Sequence, residues 1–287
     1  MDTSVWSIQT SRFFKEVDCL STMNSIISNT QLMPDVQSSY DPRRIAIQRV
    51  GVRRVKHPML IQADDGSVQP TIAEWTLTVF LPETEKGTHM SRFMALLDTY
   101  RTTPMTMDLF KQMAAEMLPL LNAPKGDLIV SFPYFINKKA PVSGVASLMD
   151  YQVTWTAAAT EEAVEFELNV VVPVMSLCPC SKAISEYGAH NQRSHITVQM
   201  VSHEAYSMDA VIKLIEKQGS SELWALLKRP DEKFVTETSY DNPKFVEDLI
   251  RDVASQVKQI PGIVRYRIEA ENFESIHNHS AYAVIEG

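Results

Sequence analysis

The sequence predicts an α+β fold of two consecutive halves, each an antiparallel ββααββ unit with its helices on one face of the sheet. Three observations carry this. Apolar residues alternate with a period of two in several runs, most clearly at 71–82 and 163–174. They recur at helical spacing after the first two strands of each half. The order of patterns is the same in both halves, although the residues themselves are little alike.

Residues 1–40 are polar, rich in Ser, Gln and Asn, and lack a sustained period, so a loosely ordered leading segment is expected. Met23-Asn24 is a second possible start, so the sequence leaves open whether residues 1–22 belong to the protein or are an extension outside the fold. The first unit is placed at 41–160. Ile45–Val55 reads as a strand, and TIAEWTLTVFLP puts Ala73, Trp75, Leu77, Val79 and Leu81 on one face. Met90, Phe93, Met94 and Leu97 form one helical stripe, and Phe110, Met113, Met117 and Leu121 form another. Strand patterns return at 127–135 and 145–156. The second unit is placed at 161–287. Val164, Phe166, Leu168, Val170 and Val172 share a face, as do Ile196, Val198 and Met200. Helical patterns follow at 208–217, 221–228 and 243–258, the last capped by Asp241 or Asn242 with Pro243 in its first turn. VRYRIEA and SAYAVIE supply two closing strands.

With 287 residues, 45% apolar and 22% charged, the chain has a globular composition. A formal charge of −8 excludes a general nucleic-acid or membrane surface, so an anionic ligand needs a local cluster of cations. No apolar run approaches the roughly 20 residues of a transmembrane helix, and the N-terminus is a poor signal peptide. Three cysteines, two of them nearly adjacent, make no disulfide framework. A cytoplasmic protein is expected.

Chemistry concentrates in SLCPCSKAISEYGAHNQRSH, residues 176–195. Thiolate and neutral imidazole are favoured ligands of zinc and related ions. Cys178 ends one strand pattern and His190 precedes the next, so a strand–loop–strand turn brings them together. Read as strand residues, Cys178 and Cys180 share a face, with Pro179 stiffening the site between them. His195 adds a second imidazole. The spacing is not that of a zinc finger, and an incomplete ligand set leaves a coordination position for water, as in catalytic metal sites. The bland alternative is buried small thiols and a satisfied histidine. Downstream, KRPDEKFVTE holds Asp231, Glu232 and Glu237 between helices. Glu247 borders the stripe of Val246, Ile250, Val253 and Val257, where it is either a solvated helix glutamate or an acceptor for a planar N–H pair such as that of guanine. Glu274 and His277, three residues apart, make a plausible proton-transfer pair.

Taken together, KGTHMSRFMALL, the CPC–GAHNQRSH block, LKRPDEKFVTE, NPKFVEDLIRDV and ENFESIHNHSAYA make residues 30–287 resemble the prokaryotic type IB GTP cyclohydrolases of the tunnelling-fold superfamily. The resemblance implies a bimodular tunnelling fold and conversion of GTP to 7,8-dihydroneopterin triphosphate with release of formate. It also implies a homotetramer with interfacial active sites and one divalent metal ion per site, zinc or manganese among others. Carried over by motif, Cys178, His190 and Glu232 are the implied metal ligands. Cys180, Glu274 and His277 belong to the implied catalytic set, and Glu247 is the implied guanine anchor. A triphosphate requires cations. Lys182 and Arg193 flank the metal segment, Lys86, His89 and Arg92 lie in KGTHMSR, and Lys138-Lys139 forms another pair.

Two other readings compete. A tunnelling-fold deazaguanine nitrile reductase would use a Cys nucleophile and NADPH, but this chain lacks that family's lysine-rich signature. A noncatalytic purine-binding protein stabilised by metal would unfold on chelation, whereas a catalytic metal leaves a folded, inactive chain. No GxxxxGK[ST], GxGxxG or GxSxG is present.

Overall fold

The computed structural model describes residue 37 and residues 39–287; the expected loosely ordered leading segment therefore lies, up to its last few residues, outside the described residues. All described strands join one nine-stranded sheet in the order β3-β1-β2-β4-β5-β6-β7-β8-β9. The strands are β1 Ile47–Gln62, β2 Val68–Leu81, β3 Pro104–Met105, β4 Lys125–Lys139, β5 Ala146–Thr160, β6 Val164–Leu177, β7 Asn191–Ser202, β8 Ile263–Asn272 and β9 Ala281–Glu286. Apart from the short parallel pairing of β3 with β1, every neighbour is antiparallel.

Helices α1 (Met90–Tyr100) and α2 (Met107–Leu121) lie between β2 and β4. Short α3 (Pro179–Ile184) opens the β6–β7 loop. Helices α4 (Met208–Glu216), α5 (Arg229–Asp241) and α6 (Val246–Val257) lie between β7 and β8. The strand alternation sorts side chains as its period requires. Ala73, Trp75, Leu77 and Val79 are buried and join one core with Leu168, Val170, Val172, Ile196 and Val198. The same core takes Phe110, Met113 and Met117 of α2 and Leu249, Ile250 and Val253 of α6. Each fully buried large apolar side chain contributes about 1.5–3 kcal/mol, so the sheet is covered on its helix side by hydrophobic burial.

In β1, Val50, Val52 and Val55 all pack on the core although 52 and 55 are out of phase. A bulge between Arg53 and Val55, with Arg54 at φ 61°, restores the phase. No helix among the described residues is long and apolar enough to cross a membrane.

The structure corrects several local expectations. Residues 221–228 are not helical; Met175 N–H donates to Ser221 O (3.0 Å), drawing that stretch against the sheet. The helix begins instead at Arg229, with Pro230 in its first turn, and Glu232 sits within it rather than between helices. Its buried residues are only Asp231, Val235 and Ser239, too polar a set to read as a stripe. The last helix starts at Val246, three residues after Pro243, with Asp248 accepting from Phe245 N–H (3.1 Å). Of the first stripe, Phe93 and Leu97 are buried but Met90 and Met94 are exposed. Cys178 and Cys180 do not sit on one face of a strand: Pro179 starts α3 and Cys178 is its N-cap.

Candidate active site

Cys178 N–H donates to His190 O at 3.1 Å, which closes the β6–β7 loop at its neck. Ser181 reinforces the closure: its N–H donates to Cys178 Sγ (3.4 Å), its hydroxyl to Cys178 O (3.2 Å), and its Oγ accepts from His190 N–H (3.2 Å). The α3 turn therefore holds the Cys178 sulfur as an acceptor on the same short loop as the His190 ring. Cys178 is half-buried and Cys180 exposed. His190 Nδ1 lies 3.0 Å from Gln192 Oε1 and 3.9 Å from Glu274 Oε2. Glu274 comes from the β8–β9 loop, where Phe273 N–H donates to Arg193 O (3.1 Å). In that loop the His277 and His279 rings stack with centroids 5.1 Å apart.

The start of α6 is fastened to the same end of the sheet. Lys244 N–H donates to Leu177 O (3.0 Å), one residue before Cys178, and Glu247 is exposed in the first turn beyond it. Glu232 is exposed in the first turn of α5. Its neighbour Asp231 is fully buried and accepts from Val142 N–H (2.8 Å), Ser143 N–H (2.8 Å), Ser143 Oγ–H (2.6 Å) and Lys228 N–H (2.8 Å). Burial pushes the Asp231 carboxyl up, but the bonds from Ser143, Lys228 and Val142 outweigh it and hold the group well below the usual carboxylate range. Asp231 thus pins the helix that carries Glu232 to the β4–β5 hairpin.

Among the described residues no three His, Cys, Asp or Glu side chains gather as a metal-holding group, so Cys178, His190 and Glu232 are not brought together within the one chain. The donor types nonetheless suit a divalent ion: thiol and imidazole on a fixed loop, and carboxylates on the neighbouring α5 and β8–β9 segments.

Among the candidate cations, Lys182 donates to Tyr240 O and lies over that ring, 4.2 Å from its centroid, bracing α3 on the end of α5. Arg193 is exposed on β7. Lys138 points inward: it is buried against Glu216 (2.7 Å), Glu222 (2.8 Å) and Leu223 O (2.9 Å). His89 precedes α1 and follows β2. The registers Val79–Gly126, Gly126–Ala159 and Ala159–Val164 put that end of β2 beside the start of β6. Cys178 follows the other end of β6, 14 residues or about 45 Å away along the strand. His89 is therefore not brought to Cys178 within one chain. His195 packs edge-on against Phe273, with centroids 4.8 Å apart. Burial, and then nearby Arg193, pulls its pKa down against the opposing pull of Glu271.

A cavity of about 500 Å³ adjoins the loop, lined by Leu177, Tyr187, Gly188, Ala189, Tyr240 and Asp241 among others. A larger cavity of about 780 Å³, lined by Trp155, Phe166 and Tyr206 among others, contains none of the candidate residues.

A family model for type I GTP cyclohydrolase folE2 matches residues 33–283. The chain belongs to that family. GTP cyclohydrolase FolE2 of Bordetella avium is 69% identical over 265 residues, covering 92% of this chain and all of the relative. The FolE2 of Burkholderia ambifaria is 56% identical over 255 residues, 89% of this chain and 94% of its own. Among solved structures, that of a highly active BTUO mutant matches with TM-score 0.50 at 8% identity, over 84% of this chain and 99% of its own. The Arthrobacter globiformis uricase matches with TM-score 0.48 at 8% identity, over 83% and 92%. The BTUO likeness shows the fold alone.

Sequence reasoning missed the polar side chains behind the folE2-family loop. Gln192 and Ser194 are buried in phase with Ile196, Val198 and Met200 on β7. Polar residues continuing a buried apolar phase to a strand end were the legible signal.

Proposed function

We propose that this chain is a divalent-metal-dependent GTP cyclohydrolase that hydrolyses GTP to 7,8-dihydroneopterin triphosphate and formate, the entry step to folate-type pterins. The observation that supports the reading is the loop closed by the backbone bond from Cys178 N–H to His190 O, with His190 Nδ1 3.9 Å from Glu274 Oε2, in a chain of this family. Its relatives named GTP cyclohydrolase FolE2 span nearly the whole chain, which supports the same substrate.

In this reading Cys178, His190 and Glu232 hold the ion. Bound there, a divalent ion supplies Lewis acidity that makes a water nucleophilic near neutral pH, whether the ion is zinc or manganese. The protein's own groups do the remaining work. Glu247 accepts the N1–H and N2–H of guanine and so orients C8 of the purine toward the loop. Glu274 and His277, on one short loop, pass protons to and from the ring nitrogens, and the exposed Cys180 thiol serves beside them. Arg193, Lys182 and His89 meet the triphosphate.

His89 reaches a site only from another copy of the chain, which fits a homotetramer with interfacial active sites. Both sheet edges support it: among the described residues β9 pairs only with β8, and β1 meets β3 at two residues alone on its outer side. Ile184 (86% exposed), Tyr187 (97%) and Ile276 (65%) surround the site and offer apolar surface to a neighbour. The halves 41–160 and 161–287 act as the two modules of each subunit, and the enzyme works in the cytoplasm without nucleic-acid or membrane partners. Metal-stripped protein given GTP tests the reading: formate and a pterin chromophore are expected on adding zinc or manganese, and their absence with both ions contradicts it.

A further inference from the structure

Behind His190 runs an unbroken line of buried polar side chains. His190 Nδ1 meets Gln192 Oε1 at 3.0 Å, and Gln192 Nε2–H donates to Ser176 Oγ at 2.8 Å. Ser176 Oγ lies 2.7 Å from Ser194 Oγ, and Ser194 donates to Asn272 Oδ1 at 2.7 Å. Ser176 and Ser194 are 0% exposed, Asn272 3% and Gln192 8%, so water does not compete for these groups. The line crosses β6, β7 and β8 and ends two residues before Glu274.

The direction of this line follows from counting protons. Asn272 Oδ1 can only accept, so the Ser194 proton is spent on it. Ser176 must then donate to Ser194, which leaves Ser176 Oγ to accept from the Gln192 amide. With its NH₂ turned to Ser176, Gln192 shows only its carbonyl oxygen to His190, and the ring must donate from Nδ1–H. A neutral imidazole has one proton, so Nε2 keeps a bare lone pair. Glu274 does not set this state, because 3.9 Å from Nδ1 exceeds hydrogen-bond length. Run in reverse, the same line would put the proton on Nε2 and leave the ring no nitrogen free for a cation.

We propose that Gln192, held by Ser176, Ser194 and Asn272, is a positioning residue that fixes His190 as the Nδ1–H tautomer and leaves Nε2 as the metal-binding lone pair. This rests on the reading of His190 as a metal ligand. Partners of this kind behind a ligating histidine raise metal affinity about 10- to 100-fold.

The test uses full-length protein stripped of metal, with ring ¹⁵N shifts of His190 read by NMR and zinc affinity read by competition with a chelator. Wild type should show a protonated Nδ1 and an unprotonated Nε2. Gln192→Leu, which keeps bulk and removes the acceptor, should lose that pattern and bind zinc about 10- to 100-fold more weakly. Should Gln192→Leu fail to fold, Ser194→Ala breaks the line at its middle and is expected to show the same loss of tautomer preference. A protonated Nε2 in the wild type overturns the proposal, as does a folded Gln192→Leu or Ser194→Ala with unchanged shifts and zinc affinity. His190→Ala separates the premise: wild-type zinc affinity in that variant removes His190 from the ligand set and so overturns the metal-positioning role, whatever tautomer the NMR reports.

Discussion

Cys178 and His190, twelve positions apart, are joined by a single backbone bond: the Cys178 N–H donates to the His190 carbonyl at 3.1 Å. Everything between them is a loop whose two ends are fixed and whose middle, residues 183–187, is exposed, with Ser181 tying back the α3 turn. The backbone bond thereby brings the two residues' main chains together at the neck of the loop.

That geometry depends on Gly188, which holds φ at 111°, a conformation L side chains rarely adopt. A Cβ there meets nothing within 4 Å, so any cost is backbone strain and not crowding. Gly188→Ala is expected to cost about 1–3 kcal/mol of loop stability. The readout is zinc affinity together with amide exchange of Cys178 N–H. Unchanged exchange would show that the loop tolerates the substitution.

Asp231 makes an acid-sensitive tie. Its folded-state pKa lies below the 3.8 of a free carboxyl, so the stability it contributes is complete above that value and drains away as pH falls through the depressed folded value. Asp231→Asn is expected to lower stability at pH 7 and to flatten the loss of stability below pH ~4. Urea unfolding from pH 7 down to pH 2 measures both. An acid limb identical to wild type would refute the assignment.

The buried Lys138–Glu216 pair behaves as core and not as a phosphate site. Burial pushes the Glu216 carboxyl up against the pull of Lys138 and of Tyr151, whose hydroxyl donates to it at 2.6 Å. Lys138→Met strands Glu216 without its cation and is expected to cost about 3–5 kcal/mol, while adding Glu216→Leu recovers much of that. Denaturant unfolding of the single and double variants gives the coupling, and strict additivity would contradict it.

Much of this was legible in the sequence, for reasons that differ by element. Strands β2 and β6 announce themselves because one face of each is buried and the other is not. The closure of the backbone between Cys178 and His190 was legible because both residues abut strands that must be neighbours. Helix α5 was not, since it buries a carboxylate and a serine where a stripe would carry leucine. Helix α3 is under two turns long, set by Pro179 and capping bonds, and too short for any period to show. The inward turn of Lys138 depends on Glu216 and Glu222, about eighty residues away, and local pattern holds no trace of such a partner.

Glu247 stands in the first turn of α6, beside the loop and unneeded by the core. Glu247→Ala is expected to raise KM for GTP about 10- to 100-fold through loss of two charge-assisted bonds, with Tm unchanged. Steady-state formate release across GTP concentrations measures it. A fall in Tm with unaltered KM would assign Glu247 to stability instead.

The central claim is that a divalent ion held by Cys178 and His190 makes this chain a GTP cyclohydrolase. Formate release from GTP, by the folded Cys178→Ala/His190→Ala double variant against wild type with zinc or manganese added, tests it most directly. The account predicts formate from the wild type on addition of metal and none above background from the double variant; wild-type rates in the double variant would contradict it.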